Sequence, residues 1–238
     1  MPPLLLRWHV YAFDFHGHGE SGRSPGRYLV RDYAEDTIAF LERQVKEPAI
    51  LVGHSMGGMV SLQVASARPD LVRAVVLEDC PLYVATEPLS DSMRQSALET
   101  RDLIQSSKSA DDMVPTLKQR SPDMDDAAIR QLAATLHQVD PELFASNIEG
   151  NPPWDCDLDA LLAGIGCPVL LIEADPDYSA WSRQSDGDRA VLRMKGCARV
   201  QVKGVGHWVH RHAPDRFQRV LLDYLVSLEL PAQSRLIA

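Results

Sequence analysis

The chain has no long apolar run. Nowhere does it approach the ~18–20 consecutive apolar residues that a membrane-spanning helix requires, and the opening Met1-Pro2-Pro3-Leu4-Leu5-Leu6-Arg7 is too short and too broken for a secretory signal. Cysteine is scarce. Cys80, Cys156, Cys167 and Cys197 have neither disulfide-framework nor metal-ligand spacing, and their mostly apolar flanks predict reduced core thiols in a cytoplasmic protein. Basic residues are in deficit, 24 Lys and Arg against 33 Asp and Glu, for a formal net charge of -9. That balance argues against nucleic acid and against an anionic membrane as partners, and suits a small neutral molecule. Also missing are a Gly-x-x-x-x-Gly-Lys phosphate loop and a His-Glu-x-x-His helix, so no nucleotide, metal or other cofactor is expected. Internal repeats and low-complexity tracts are absent too.

What the chain does have is the composition of a globular protein, 45% hydrophobic and 24% charged, over 238 residues. That length holds one α/β domain with room for an inserted subdomain. Short apolar runs at 9–13, 49–52, 73–78, 169–173 and 200–203 read as strands. Helical periodicity recurs at 31–46, 56–67, 185–194 and 213–228. Strands alternating with helices predict a parallel sheet covered on both faces. Between Leu89 and Leu162 no strand is expected. Segments 90–107, 110–119 and 123–139 carry their own apolar faces, as an inserted helical unit would. The predicted division is therefore a core of residues 1–81 and 166–238 and a helical cap of residues 82–165.

The chain is organised around Ala49-Ile50-Leu51-Val52-Gly53-His54-Ser55-Met56-Gly57-Gly58. A buried strand runs into Gly53-x-Ser55-x-Gly57 and then into a helix of small and apolar residues. This is the context of a nucleophile elbow, which lifts a serine hydroxyl above the sheet. Glycines at 53 and 57 would remove Cβ atoms from so sharp a turn. The helix start offers free N–H groups to a developing oxyanion, Met56 N–H first among them. A glycine-rich turn of this kind can also be purely structural, so the motif alone does not decide the chemistry.

Three further stretches do. Asp14-x-x-Gly17-His18-Gly19-x-Ser21 lies ahead of the elbow. Val169 to Asp177 and Gly204-Val205-Gly206-His207 lie after it. With the elbow, and in this order, they make the chain resemble an α/β-hydrolase-fold protein of the serine-nucleophile, cap-bearing kind, from about residue 8 to 228. The resemblance implies Ser55 as nucleophile and His207 as base, preferred over His210 and His212. It implies a carboxylate that fixes the imidazole. Asp177 and Asp175, just past the 169–173 strand, rank equal for that role, with Asp79 and Glu78 behind them. His16 stands where the family usually has Arg, a departure expected to alter an ion pair rather than the chemistry. The family normally has three strands before the one at 9–13, the third bringing a second oxyanion donor. The chain as read would thus be N-terminally shortened, with a five-stranded sheet whose gap is closed by His9–Phe13, by Met1–Leu6 or by a partner. The activity implied is hydrolysis of a small or medium neutral ester through an acyl-enzyme. Met93, Trp154 and the Met113–Leu117 segment are candidate pocket linings, unless they pack in the core. The alternative is a non-catalytic ligand-binding protein of the same fold. The oligomeric state is left open.

Overall fold

The computed structural model describes residue 4 and residues 7–122, 124–178, 180–181 and 183–229. Its centre is a parallel sheet of four strands, β1 (Ala49–His54), β2 (Val72–Glu78), β3 (Val169–Glu173) and β4 (Cys197–Gln201), side by side in chain order. The register runs Ile50↔Ala74, Val76↔Leu170 and Leu171↔Arg199. β3 is buried at every residue and β2 at every residue except Arg73, as unbroken apolar runs require of strands covered on both faces. β1 is the edge among the described residues and is only half-buried, with Val52 exposed.

The His9–Phe13 run forms no strand, so among the described residues the sheet has four strands where the sequence predicts five. The side chains from Tyr11 to Asp14 stay exposed, so no buried face holds this segment in register. Among the described residues the only strand paired with β1 is β2. Met1–Leu6, the other proposed filler, lies outside the described residues except for Leu4, which packs partly buried against the core. Most other elements fall where periodicity puts them. Helix α1 (Val30–Phe40) continues into a wider turn over Leu41–Val45, and α2 (Met56–Ala67) follows β1. The last strand begins three residues earlier than expected, at Cys197.

By contact the chain forms two compact units. The first comprises Met1–Val10, Ala34–Thr86 and Trp154–Ala238, the second Tyr11–Tyr33 and Glu87–Pro153. The first contains the sheet. α2 is buried almost all round, at Gly58, Met59, Val60, Ser61, Leu62, Val64 and Ala65, because its sequence has no charged side chain to turn toward water. Beyond it come α7 (Leu158–Ala163), α8 (Gln184–Arg193), α9 (Val209–His212) and α10 (Pro214–Ser227). α10 lays Leu221, Tyr224 and Leu225 on Ala74, Val76, Leu170 and Ile172.

The second unit is built on α3 (Asp91–Ser106), α4 (Ala110–Arg120), α5 (Asp126–His137) and α6 (Ala145–Glu149), and 82–165 contains no strand among the described residues. Each long helix starts on a side-chain cap. Ser90 accepts Met93 N–H, Ser109 and Asp112 form a reciprocal capping box, and Asp125 accepts Ala128 N–H. Its core is Leu103, Ile104, Met113, Leu117, Ile129, Ala133 and Val139. Residues 11–33, assigned to the core on sequence grounds, group here instead. Asp140 N–H donates to Gly17 C=O at 2.8 Å, and Tyr28 Oη–H donates to Asp140 Oδ2 at 2.6 Å. His16 is buried, stacked on both Tyr28 and Tyr33, with Nε2 donating to Arg27 C=O. A stacked imidazole thus occupies the place where an ion pair was considered.

Candidate active site

Ser55 sits between the end of β1 and the start of α2 with φ 52° and ψ -119°. A positive φ is uncommon for a residue with a Cβ and persists only where the surroundings impose it. Here both sides of the residue are tied. Ser55 N–H donates to Glu78 C=O at 3.0 Å, and Ser55 C=O accepts Gly58 N–H at 2.9 Å. The steric need for glycine differs from the sequence expectation at one position. A Cβ on Gly53 would lie 2.2 Å from Gly57 O, and one on Gly58 3.0 Å from Cys80, whereas one on Gly57 would meet open space. The close approach is of the Gly53 backbone to the first turn of α2.

His207 lies in the loop after β4, and its Nδ1 donates to Asp79 Oδ2 at 2.6 Å. Asp79, one residue past β2, is fully buried and has φ 38°. Its Oδ2 also accepts Trp181 N–H at 2.9 Å and its Oδ1 accepts Ala174 N–H at 3.2 Å. Burial pushes this carboxyl up, but the bonds from His207, Trp181 and Ala174 outweigh it and hold it below the ordinary aspartate value.

This corrects the ranking of carboxylates. Asp175 Oδ2 accepts Gly204 N–H at 2.7 Å and its Oδ1 accepts Asp177 N–H at 3.2 Å, so it ties the end of β3 to the turn after β4. The Gly204 bond is the main cause of its lowered pKa. Asp177 is exposed, in the turn Pro176–Tyr178. Neither bonds His207 among the described residues. The reason is the order of the sheet. β2 is the direct neighbour of β1, so its end is the nearest strand end to the elbow, and β3 is one inter-strand spacing of ~4.8 Å farther away. The available signal was the Glu78-Asp79 pair closing an otherwise apolar strand.

Of the competing histidines, His212 is exposed, and His210 is held by Glu78. His54 Nε2 donates to His207 C=O at 3.0 Å, and the two rings lie 4.4 Å apart. Burial lowers the His54 pKa to about 4, against the pull of Glu78, so this ring is neutral near pH 7. Trp208 lies over His54 at 4.4 Å and Trp181 lies 5.7 Å from His207, both partly exposed. The Ser55 hydroxyl makes no hydrogen bond to His207 among the described residues, and such nucleophile–base contacts are often long until substrate is bound. Met56 is the first helical residue after Ser55, so its N–H has no intrahelical acceptor.

Of the residues considered as pocket linings, Met113 and Leu117 belong to the second unit's own core. Trp154 is buried in the first unit, with its backbone N–H on Ala85 C=O and its indole N–H on Gln63 Oε1. Met93 is half-buried.

Comparison with known proteins agrees with this architecture. A pyrrolizixenacetamide deacetylase of Xenorhabdus hominickii is 27% identical over 239 residues, covering 97% of this chain and 85% of that protein. A 2-(acetamidomethylene)succinate hydrolase of Mesorhizobium japonicum is 39% identical over 103 residues, a stretch spanning 42% of this chain and 35% of that protein. The crystal structure of an E-2-(acetamidomethylene)succinate hydrolase superposes with a TM-score of 0.66 at 25% identity, covering 89% of this chain and 79% of that one. The family model described as alpha/beta hydrolase family matches residues 1–220. The chain belongs to the alpha/beta hydrolase family.

Proposed function

We propose that the protein is a serine hydrolase that cleaves a small or medium neutral ester through an acyl-enzyme. The observation that carries this reading is the His207 Nδ1–Asp79 Oδ2 bond of 2.6 Å in the same compact unit as a serine at positive φ. The buried carboxylate fixes the tautomer that leaves Nε2 unprotonated and stabilises the imidazolium once it forms. Ser55 Oγ attacks the ester carbonyl carbon as His207 Nε2 takes its proton. The tetrahedral oxyanion is met by Met56 N–H. His207 returns the proton to the departing alkoxide, which leaves as alcohol. Water, deprotonated by the same imidazole, then attacks the acyl-serine and releases the acid. The names of the deacetylase and of the 2-(acetamidomethylene)succinate hydrolase extend the candidate substrates to small amides, whose carbonyl chemistry is the same.

The test combines a fluorophosphonate probe with p-nitrophenyl acetate hydrolysis on wild type and Ser55→Ala. Labelling and turnover are expected in the wild type and absent in the folded variant. Turnover that survives the substitution unchanged would end this reading. The second reading, a ligand-binding protein without turnover, is favoured by the lack of a Ser55–His207 hydrogen bond among the described residues. It predicts a folded wild type that the probe does not label.

A further inference from the structure

The last residue of β2, Glu78, is buried at 3% exposure, and every polar atom it has beyond its own strand pairing is directed at a segment of the site. Its carbonyl accepts the Ser55 N–H at 3.0 Å. The next residue in the chain is Asp79, the carboxylate on His207. Its own carboxylate reaches the loop that carries His207. His210 N–H donates to Oε1 at 2.8 Å, and His210 Nδ1 lies 2.9 Å from both Oε1 and Oε2. The His210 ring is in turn packed edge-on against His54, Trp208 and Phe217. Two adjacent carboxylates at one strand end thus hold two imidazoles three residues apart, His207 in the loop after β4 and His210 in α9, which follows it directly.

The geometry points to Glu78 as a positioning residue for the base. By gripping His210 at two points, it fixes α9 and, through it, the 204–208 loop just ahead, so that the His207 ring stays on Asp79 with Nε2 free for Ser55. This inference rests on the proposed hydrolase reading. The physical case is connectivity. Taking a carboxylate out of water is costly unless charged or polar partners satisfy it. A strand end needing only burial would be served by another apolar residue, like Val75–Leu77 before it. Glu78 instead takes two donors from a single residue of α9, directly after the loop that carries His207. With His54, which precedes Ser55 in the chain and donates to His207 C=O, Glu78 ties the Ser55 backbone to the segment that carries His207. Holding a reacting group within about 1 Å of its working geometry is worth up to about 10²-fold in rate.

The experiment measures kcat and KM on p-nitrophenyl acetate, the fluorophosphonate labelling rate of Ser55, and the far-downfield NMR signal of the His207 Nδ1–H proton. It uses the full chain as wild type, Glu78→Ala, Glu78→Gln and Ser55→Ala. Glu78→Ala is expected to lower kcat and the labelling rate together by about 10²-fold, with KM within about twofold and the downfield proton lost. Glu78→Gln keeps one acceptor for His210 and is expected to recover most of the rate and the proton signal. If Ser55→Ala abolishes turnover while Glu78→Ala keeps kcat, labelling and the proton signal at wild-type levels, the positioning role is overturned and the hydrolase reading stands. If Ser55→Ala keeps its turnover, the hydrolase reading falls, and the proton signal alone judges Glu78: its persistence in Glu78→Ala overturns the role. Should Glu78→Ala fail to fold, His210→Ala replaces it, since it removes one of the two grips and leaves the buried carboxylate on the backbone N–H. A wild-type kcat and proton signal in that variant would likewise overturn the inference.

Discussion

His207 Nδ1 and Asp79 Oδ2 are 2.6 Å apart, across 128 residues of sequence. The carboxylate is fully buried, and Trp181 N–H and Ala174 N–H hold it from two further directions. Removing its charge while keeping its shape should therefore damage the site more than the fold. Asp79→Asn is expected to lower kcat for p-nitrophenyl acetate by about 10⁴-fold, because an amide favours the wrong imidazole tautomer. Asp177→Asn should stay within about twofold of wild type. Asp175→Asn should cost stability, by about 1 kcal/mol for one weakened backbone bond, with kcat little changed. Steady-state kinetics on the three variants decide this. Equal losses at 79 and 177 would refute the assignment.

Gly53 and Gly57 flank Ser55 symmetrically in sequence but not in space. Gly53→Ala puts a methyl 2.2 Å from a backbone carbonyl oxygen, which the first turn of α2 cannot escape without moving. A loss of about 3 kcal/mol or more is expected, at the upper end of overpacking costs. Gly57→Ala points into open space and gains helix propensity, so its stability should be unchanged or higher by up to about 1 kcal/mol. Urea melts of the two variants give the comparison, and equal destabilisation would contradict the structure.

His54 gives a pH signature. Burial holds its folded-state pKa at about 4, against ~6.5 for an exposed imidazole in the unfolded chain. Between these values the unfolded chain binds a proton that the folded chain does not, so stability rises with pH across the window and is lost as pH falls from ~6.5 toward 4. Above ~6.5 this group contributes no further change. His54→Gln keeps a donor for His207 C=O and should flatten this part of the stability–pH curve. Denaturation midpoints between pH 4 and 7 with the same slope in both proteins would show that His54 is not the group responsible.

β1 is paired on one side among the described residues, while β2 and β3 each have a neighbour on both. Hydrogen exchange should therefore be slowest in 72–78 and 169–173 and faster in 49–54, because edge amides open at lower free energy. Equal protection of 49–54 and 72–78 would mean that the outer side of β1 is covered in solution.

Much of this protein is determined by the sequence alone, through local physics. The apolar run 169–173 can only be satisfied by burial on both faces, and it is a fully buried strand with the expected limits. The small-residue helix 56–67 and the charge-flanked helices at 91–106 and 110–120 follow from periodicity and capping. The Gly53-x-Ser55-x-Gly57 turn is legible because strand, turn and helix are consecutive. The segment 9–13 has strand-forming residues but no strand, since whether a neighbour pairs with it is not a local property. The partner of His207 was likewise out of reach. Asp79, Asp175 and Asp177 all end strands or begin the loops after them, and local spacing does not say which of them meets the imidazole. Only the lateral order of the sheet, which sets β2 between the elbow strand and β3, brings Asp79 to the imidazole and leaves Asp175 to tie the Gly204 turn. The same holds for Glu78 and His210, which are 132 residues apart and meet because the end of β2 and the segment after β4 lie at the same end of the sheet. Spacing along the chain decides which elements form. Which side chains meet across them depends on strand order, and that is set by how the apolar faces of the whole chain are buried together.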